Sequence, residues 1–358
     1  MMKHDLLYKD PGAYSCFPAL AADLEGKLWV SFRRAGGFSL EAVRQGQYDH
    51  VDKGARIAVL HSEDGGETWS DPEILDAFDP ERGEQDPSIQ VLQDGVMMIN
   101  FFQWYVVPEQ EKNRLKYPAR QQIDGSWADV EGPYIIRSYD GGNSWEEDPV
   151  PVASHPLPRA GTSDAVIELP DGSLIMGIYG AEYGDNVCRS YSVISRDGGD
   201  TWGETALIAS DPEKRISFEE PGLTLTEDGT LLALIRAGEP GNYTFLYQAR
   251  SDDGGKTWMN LHQTPLWGHP ASVIELADGR LLATYGHRRD PFGIRACLSR
   301  DGGVTWDIED EIVLRDDGKT GDLGYPDTIQ LEDGNLYTVY YFHGEDGIRH
   351  IAGTRWSL

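Results

Sequence analysis

A short phrase that recurs five times constrains the fold of this chain more than any other feature. It reads Ser-x-Asp-Gly-Gly-x-(Thr/Ser)-Trp, and its copies, called boxes below, span residues 62–69, 138–145, 195–202, 251–258 and 299–306. Self-similarity at long, roughly regular spacing indicates a chain built from copies of one unit. Because Asp-Gly-Gly favours tight turns and Trp can bury a loop against a sheet, each box is predicted to be a turn between two outer strands, with no part in a site.

A second repeat consists of hairpin turns between pairs of apolar strands. Glu-Gly or Asp-Gly pairs recur at residues 25–26, 94–95, 171–172, 228–229, 278–279 and 333–334. Such a pair between apolar runs is a strong hairpin signal. Six hairpins, five of them followed by outer strands that carry a box, predict an all-β, six-bladed β-propeller that uses residues 1–358 as one domain. The last blade lacks an outer strand after residues 348–354, and we expect residues 5–9 to supply it and close the ring.

Composition limits the partners of the chain. It has 60 acidic and 31 basic residues, with a net charge of −29, which argues against nucleic acid or an anionic membrane as a partner. Three widely spaced cysteines imply no disulfide framework. The N-terminus lacks an apolar signal segment and no long apolar run follows, so we expect a cytoplasmic protein. A homo-oligomer is left open.

The hairpins also predict where a ligand would bind. Both ends of a hairpin lie at the same end of its blade, so the six pairs of ends should ring one mouth of the central channel. The polar residues expected around this mouth are Arg33, Asp86, Asp164, Tyr179, Glu220, Arg236, His269, His287 and Tyr325. Convergent polar groups in a concave site are typical of a binding site. The His and Asp residues have no short metal-ligand spacing and no glycine-rich phosphate loop is present, so no metal or cofactor is expected.

The boxes and hairpin ends together resemble those of the sialidase superfamily, in its bacterial branch, over nearly the whole chain. That family places a Glu at the start of the fourth inner strand and an Arg sixteen residues later, as Glu220 and Arg236 stand here. Its nucleophilic Tyr is matched by Tyr325, which begins the sixth inner strand. Its acid Asp, shortly before the strand that leads to the first box, is matched by Asp52, with Asp49 as a weaker candidate.

The resemblance implies an exo-acting glycoside hydrolase that acts on a glycan or glycoconjugate. Tyr325, deprotonated toward Glu220, would form a glycosyl-enzyme intermediate, Asp52 would protonate the leaving oxygen, and the sugar would be released with retention. The sugar would be a terminal acidic one, sialic acid or a related 2-keto-3-deoxy sugar. Its carboxylate would be held by Arg33, Arg236 and Arg289. The other polar residues of the mouth would bind the rest of the substrate.

Two departures from the family concern its carboxylate-binding arginines. Cys16 occupies the place of the first of them. The third should lie in blade 5 before the last box, where Arg288, Arg289 and Arg295 are all near, and Arg289 is favoured because it lies in the loop at the mouth. The incomplete triad leaves the substrate less certain than the glycosidase scaffold.

Two alternatives therefore stay open. One is another carbohydrate enzyme on the same propeller, a rhamnosidase acting next to uronate or a polysaccharide lyase, in which His269 or His287 would be critical. The other is a non-catalytic propeller that binds glycan or protein. A phenol beside a base, as in Tyr325 and Glu220, argues against the non-catalytic alternative. Fold analogy alone does not choose among them.

Overall fold

The described part of the chain forms six antiparallel β-sheets arranged as propeller blades. The structure is a computed structural model that describes residues 2–36, 50–75, 78–116, 120–122, 124–182 and 184–358. Apart from two short 3₁₀ turns, Glu109–Arg114 and Ile308–Asp310, its regular elements are strands, and each sheet holds four or five of them. The prediction of an all-β, six-bladed propeller is confirmed.

Blades 1 to 3 follow one another along the chain, with strands numbered in chain order from β1 (Lys3–Tyr8). Blade 1 contains β2 (Tyr14–Ala22), β3 (Leu28–Ala35), β4 (Ala55–Ser62) and β5 (Glu73–Ile74). Blade 2 contains β6 (Arg82–Val91), β7 (Met97–Val107), β9 (Trp127–Ser138) and β10 (Val150–Pro151), with β8 (Arg120–Gln121) paired to β9. Blade 3 contains β11 (Ile167–Glu168), β12 (Leu174–Ala181), β13 (Cys188–Ser195) and β14 (Gly203–Ala209).

Blades 4 to 6 complete the circle. Blade 4 contains β15 (Ser217–Leu225), β16 (Leu231–Glu239), β18 (Phe245–Ser251) and β19 (Met259–Trp267), with β17 (Asn242–Tyr243) paired to β16. Blade 5 contains β20 (Ala271–Glu275), β21 (Leu281–His287), β22 (Gly293–Ser299) and β23 (Ile312–Arg315). Blade 6 contains β24 (Gly324–Gln330), β25 (Leu336–Phe342), β26 (His350–Trp356) and β1. The first strand of every blade lies innermost.

The N-terminal strand closes the ring, as predicted. β1 pairs antiparallel with β26, with Lys3 opposite Arg355 and Leu6 opposite Ala352. The strand covers residues 3–8, close to the expected 5–9. The first and last segments of the chain are thereby hydrogen-bonded in one sheet, so the propeller has no open seam between blades 6 and 1.

Each box is a turn between the third and fourth strands of its blade, and it packs against the preceding blade. In the first box Ser62 Oγ donates to Asp64 Oδ1 at 2.8 Å, and the Thr68 backbone N–H donates to the same oxygen at 2.8 Å. The second glycine, Gly66, has φ +90°, and a Cβ placed on it would lie 2.4 Å from the Tyr337 ring of blade 6. Only glycine fits both the backbone conformation and this contact. The boxes hold neighbouring blades together, in agreement with the structural role predicted for them.

The hydrophobic core lies between neighbouring blades. One cluster joins Trp29 and Ile57 of blade 1 to Ile99 and Phe101 of blade 2, all of them buried. Burial of such side chains stabilises the fold by about 1.5–3 kcal/mol each. Within the described residues, no helix has the length and apolarity needed to cross a lipid bilayer. The blades thus form a rigid ring whose inner strand ends carry the candidate site.

Candidate active site

Four residues at one end of the inner strands have a backbone conformation that side chains rarely adopt. Phe17, Asp86, Glu220 and Tyr325 have φ values of 56°, 49°, 49° and 49°, and each precedes a proline. They lie in the first halves of the inner strands β2, β6, β15 and β24, in blades 1, 2, 4 and 6. In each case the pairing with the next strand shifts register at this point, which marks a β-bulge. Such strain costs about 1–3 kcal/mol per residue and is typical of functional sites.

The bulge explains why Glu220 faces the mouth. The ladder pairs Glu219 with Arg236 and then Pro221 with Ile235, so Glu220 is the extra residue on its strand. Its side chain is turned out of the regular alternation and remains only 5% exposed. A one-residue slip of this kind moves a side chain from one face of a strand to the other.

The central feature of the site is a hydrogen-bonded trio of Tyr325, Glu220 and Arg236. Tyr325 Oη donates to Glu220 Oε1 at 2.5 Å, across the mouth from blade 6 to blade 4. Arg236 Nη1 donates to both carboxylate oxygens of Glu220 at 3.0 Å. The guanidinium therefore holds the carboxylate in place and orients it toward the phenol. The structure brings together these three residues, as the sequence predicts.

Burial and neighbouring charge make ionisation of the phenol difficult. The pKa of Tyr325 lies well above its usual value of 10, first because the group is buried and then because of the negative charges of Glu220 and Asp86, while Arg236 acts in the opposite direction. Burial, and next the charge of Glu220, also raise the pKa of Asp86 well above 3.8. Asp86 Oδ1 accepts a hydrogen bond from Gln85 Nε2 at 2.7 Å. The mouth thus holds a neutral phenol and a carboxylate that can accept its proton.

Two further predicted residues lie close to the trio. Burial, followed by the charges of Glu220 and Asp86, raises the pKa of Tyr179 well above 10. Asp164 lies in the channel, where its Oδ2 accepts the backbone N–H of Leu223 at 2.7 Å. It shares a cavity of about 20 Å³ with Glu220 and Tyr325. Burial raises the pKa of Asp164 to about 7.

The predicted arginines lie at different depths. Arg33 is fully buried, and its Nη2 donates to the backbone oxygen of His50 at 2.8 Å while Nη1 approaches Cys16 Sγ at 3.6 Å. The positive charge of Arg33 lowers the pKa of Asp86 and so partly offsets the effect of burial. Arg289, the residue favoured from the sequence, is exposed and lies 4.3 Å above the Trp267 ring. Of the arginines predicted to hold a substrate carboxylate, Arg33 thus lies in the interior and Arg289 at the surface.

Of the three blade 5 candidates, Arg288 lies beside the nucleophile candidate. Its guanidinium is 5.7 Å from the centre of the Tyr325 ring, and its Nε donates to the Leu323 backbone oxygen at 2.9 Å. Arg295 lies farther out, where its Nη1 donates to the Arg315 backbone oxygen at 2.5 Å. Sequence spacing could not separate Arg288 from Arg289, because the choice depends on which way each side chain leaves the loop.

The two predicted histidines line the blade 5 side of the mouth. His269 is 7% exposed, and its Nδ1 is buried without a hydrogen-bond partner among the described residues. Burial, followed by the charges of Arg288 and Arg236, lowers the pKa of His269 far below its usual value, so the ring is neutral. His287 Nδ1 lies 2.9 Å from the Pro291 backbone oxygen. Burial lowers the pKa of His287 as well.

Asp52, the predicted general acid, lies within blade 1, shortly before β4. Its Oδ1 accepts the backbone N–H of Gly54 at 2.8 Å. Its backbone oxygen would lie 1.8 Å from a Cβ placed on Gly83 of blade 2. The carboxylate thus takes part in a local turn that packs on the neighbouring blade. The weaker candidate, Asp49, lies outside the described residues.

A hydrogen-bond network beside the trio contains residues that the sequence did not suggest. Asp322 accepts hydrogen bonds from Tyr14 Oη at 2.8 Å, Arg349 Nε at 2.7 Å and Tyr341 Oη at 3.1 Å. His50 Nε2 lies 3.0 Å from Tyr14 Oη and 3.5 Å from Asp322. These residues come from blades 1 and 6. One sequence signal could have pointed to Asp322, namely its position shortly before Tyr325 in the chain.

Phe17 connects this network to the nucleophile candidate. Its ring centre is 4.5 Å from that of Tyr325 and 5.3 Å from that of His50. Cys16, next to it, is fully buried, so no side chain from the position before Phe17 reaches the mouth. An aromatic and carboxylate surface occupies the blade 1 side, where the resemblance places an arginine.

Comparison with known proteins identifies the family. The family model described as a BNR repeat-like domain matches residues 104–338, so the chain belongs to this family. A sialidase of Micromonospora viridifaciens is 29% identical over 211 residues, which cover 50% of this chain and 32% of that protein. The chain thus spans about a third of the length of this curated relative.

Solved structures agree on the fold. A protein of unknown function from Dyadobacter fermentans is 30% identical, with a TM-score of 0.87, and the match covers 100% of this chain and 99% of that one. The Hadza microbial sialidase Hz136 is 20% identical, with a TM-score of 0.70 and coverage of 96% and 66%. A leech intramolecular trans-sialidase is 14% identical, with a TM-score of 0.69 and coverage of 99% and 70%. These structures agree with the propeller fold, and the family is that of the BNR repeat-like domain.

Proposed function

We propose that the protein is an exo-acting glycoside hydrolase with Tyr325 as nucleophile and Glu220 as its base. The observation that carries the proposal is the 2.5 Å hydrogen bond from Tyr325 Oη to Glu220 Oε1 in a buried mouth. A phenol is a weak nucleophile at its usual pKa of about 10, and burial weakens its acidity further. Attack by this oxygen requires a base that accepts the proton as the new bond forms. Glu220, oriented by Arg236, meets that requirement.

The proposed reaction proceeds through two displacements at one carbon. The Tyr325 oxygen bonds to the anomeric carbon, its proton passes to Glu220, and the bond to the leaving oxygen breaks. Asp52 is our candidate for the group that protonates the leaving oxygen. In the second step water attacks the same carbon and gives a proton to the Asp52 carboxylate, while the proton held by Glu220 returns to the departing Tyr325 oxygen and restores the phenol. Two inversions return the starting configuration, so the product is released with retention.

The arginines favour a terminal acidic sugar as substrate. Arg236 belongs to the trio, Arg288 lies beside it, and Arg33 adds positive charge behind it. Positive groups are scarce in a chain of net charge −29, so their convergence at one mouth favours an anionic ligand. A carboxylate on the anomeric carbon would repel a carboxylate nucleophile but not a neutral phenol. We therefore infer sialic acid or a related 2-keto-3-deoxy sugar.

One observation favours a second candidate on the same scaffold. Arg33 is fully buried and Cys16 offers no charge, so the blade 1 side presents Phe17 and the Asp322 network in place of a cation. This surface suits a terminal sugar without an anomeric carboxylate, such as a rhamnose linked to uronate. In that enzyme His269 or His287 would be the critical residue.

The test is release of 4-methylumbelliferone from aryl glycosides of sialic acid, of 3-deoxy-octulosonic acid and of rhamnose. Tyr325→Phe should lower kcat at least about a hundredfold on the accepted substrate. Tyr337→Phe is the matched control, because that buried phenol lies under the first box and far from the mouth. Turnover by Tyr325→Phe at the rate of Tyr337→Phe would disprove the proposed nucleophile. Release from rhamnoside alone would favour the second candidate.

A further inference from the structure

A continuous row of planar side chains leads from the trio to the outer edge of blade 5. The Arg236 guanidinium lies 4.0 Å from the centre of the Tyr243 ring. The Tyr243 and His269 rings are 5.7 Å apart, and the His269 and Trp267 rings are 6.3 Å apart. Arg289 lies 4.3 Å above Trp267 and ends the row. The row begins at the catalytic candidates and ends in solvent.

The guanidinium at the outer end is held in place on two sides. Arg289 stacks on Trp267, and its Nε donates to His287 Nε2 at 3.1 Å. His287 can accept this bond because its other nitrogen, Nδ1, carries the proton and donates to the Pro291 backbone oxygen at 2.9 Å. The His287 ring also contacts Trp267 edge-on, with ring centres 5.4 Å apart. These contacts use Nε and one face of the guanidinium, and neither Nη group is hydrogen-bonded to another described residue.

No carboxylate neutralises this guanidinium in the part of the chain that the structure describes. Arg289 is exposed and forms neither an ion pair nor a hydrogen bond to an acidic side chain there, although the protein has 60 acidic residues. By contrast, exposed arginines elsewhere are paired, as Arg196 is with Glu204 at 2.9 Å. His269, between the two ends of the row, is neutral because burial lowers its pKa. The outer end therefore presents an oriented, unpaired cation.

We propose that Arg289, positioned by Trp267 and His287, forms a second sugar subsite for a residue that carries a carboxylate. The two Nη groups of an oriented guanidinium match the two oxygens of a carboxylate. Since the row runs outward from the catalytic trio, this subsite takes the sugar on the leaving-group side of the scissile bond. The proposal rests on the proposed function and refines its substrate class: the sugar released would come from an acidic glycan.

The experiment measures binding without turnover. Methyl α-D-galacturonide and methyl α-D-galactoside, which differ only in the carboxylate, are titrated into the full-length protein and followed by ligand-observed NMR. We expect the galacturonide to bind more tightly, and Arg289→Gln to weaken its binding about tenfold. Arg196→Gln removes the same charge from an ion-paired surface site and should have no effect. Trp267→Leu should reproduce the loss, and Trp267→Phe should retain most of the binding.

Two results would overturn the proposal: equal binding of the two glycosides, or galacturonide binding that Arg289→Gln leaves unchanged. In the second case the uronide would occupy the inner site near Arg288. Repeating the titration with Tyr325→Phe separates this inference from the proposed function. If that variant keeps both its turnover and its Arg289-dependent binding, the proposed nucleophile is wrong and the subsite stands.

Discussion

Asp86 and Glu220 bring two carboxyl groups into one buried mouth, and only one of them is held by a guanidinium. Arg236 binds both oxygens of Glu220, while Asp86 accepts a hydrogen bond from the uncharged Gln85 amide. Burial and the Glu220 charge raise the pKa of Asp86, so its neutral form is favoured in the folded protein. Asp86 is the group that relieves the repulsion between the two carboxyl groups, because it can carry a proton.

Asp86→Asn should therefore stabilise the protein at pH 8 and leave its stability unchanged at pH 4. The folded pKa of Asp86 is above the unfolded value of about 3.9, so its contribution is fully present below that pH and is lost as pH rises through the folded pKa. Asparagine imitates the protonated form at every pH. Differential scanning calorimetry at both pH values should show a gain of about 2 °C or more at pH 8 only.

Asp94→Asn provides the control for this measurement, because it makes the same chemical change in an exposed hairpin turn, where Oδ1 accepts the Val96 backbone N–H at 3.0 Å. It should change the melting temperature little at either pH. A lower melting temperature for Asp86→Asn at pH 8 would mean that the fold needs Asp86 as an ionised acceptor, contrary to the argument from burial.

Single residues show how far the sequence could predict the site. Glu220, Arg236 and Tyr325 were predicted, because each lies at a defined distance from its hairpin turn and the open ends of the hairpins of a propeller meet at one mouth. Arg288 was one of three candidates but was not the favoured one, and Asp322 was not suggested, because both lie in loops, where the direction of a side chain depends on contacts with other blades. The pairing register of a hairpin predicts the positions of side chains only as far as its last paired residue.

At the scale of the element, the boxes carry the strongest local information. Both glycines of the second box have positive φ, 69° at Gly141 and 82° at Gly142. A Cβ on Gly141 would meet no atom within 4 Å, whereas one on Gly142 would lie 2.7 Å from the Trp29 ring of blade 1. A side chain at Gly141 would therefore disturb only the turn, whereas one at Gly142 would disturb both the turn and the contact between blades.

Gly141→Ala should lower the free energy of unfolding by about 1–2 kcal/mol, the cost of a left-handed conformation for an L-residue. Gly142→Ala should lower it by the same amount and by about 1–3 kcal/mol more, because the methyl group displaces a buried Trp ring. Urea titration of both variants, followed by Trp fluorescence, measures the difference. Equal losses would show that the box acts only as a turn and does not hold two blades together.

The sequence predicted the hairpins and boxes well, because Asp-Gly turns and alternating apolar residues are local signals. It did not predict the four bulges at Phe17, Asp86, Glu220 and Tyr325. Their φ values near +50° are unfavourable for each residue alone and persist because the neighbouring blades fix both sides of the strand end. The proline that follows each of them favours an extended conformation for the residue before it, so the positive φ is imposed by tertiary packing and not by this local pattern.

At the scale of the whole molecule, acidic groups fall into two sets with opposite pKa shifts. Hydrogen bonds from Thr and Ser hydroxyls and backbone N–H groups lower the pKa of every box Asp, to about 2 for Asp64 and Asp253. Burial raises the pKa of the acids in and near the channel, to about 7 for Asp164 and Glu84. The two sets make the stability of the propeller depend on pH in opposite directions.

The melting temperature should therefore be highest at about pH 4–5 and fall on both sides. The box carboxylates contribute stability above their unfolded pKa of about 3.9, which is lost as pH falls toward 2. The buried acids contribute stability below their unfolded pKa, which is lost as pH rises toward about 7. Calorimetry from pH 3 to 8 tests this, and Asp164→Asn should reduce the fall in melting temperature toward neutral pH.

Surface repulsion in a chain of net charge −29 is screened by salt, whereas buried groups are screened far less. The measurement is repeated at roughly 0.5 M NaCl, where the Debye length is about 4 Å. If the fall in melting temperature toward neutral pH disappears there, surface repulsion causes it, which would contradict the role given to the buried acids.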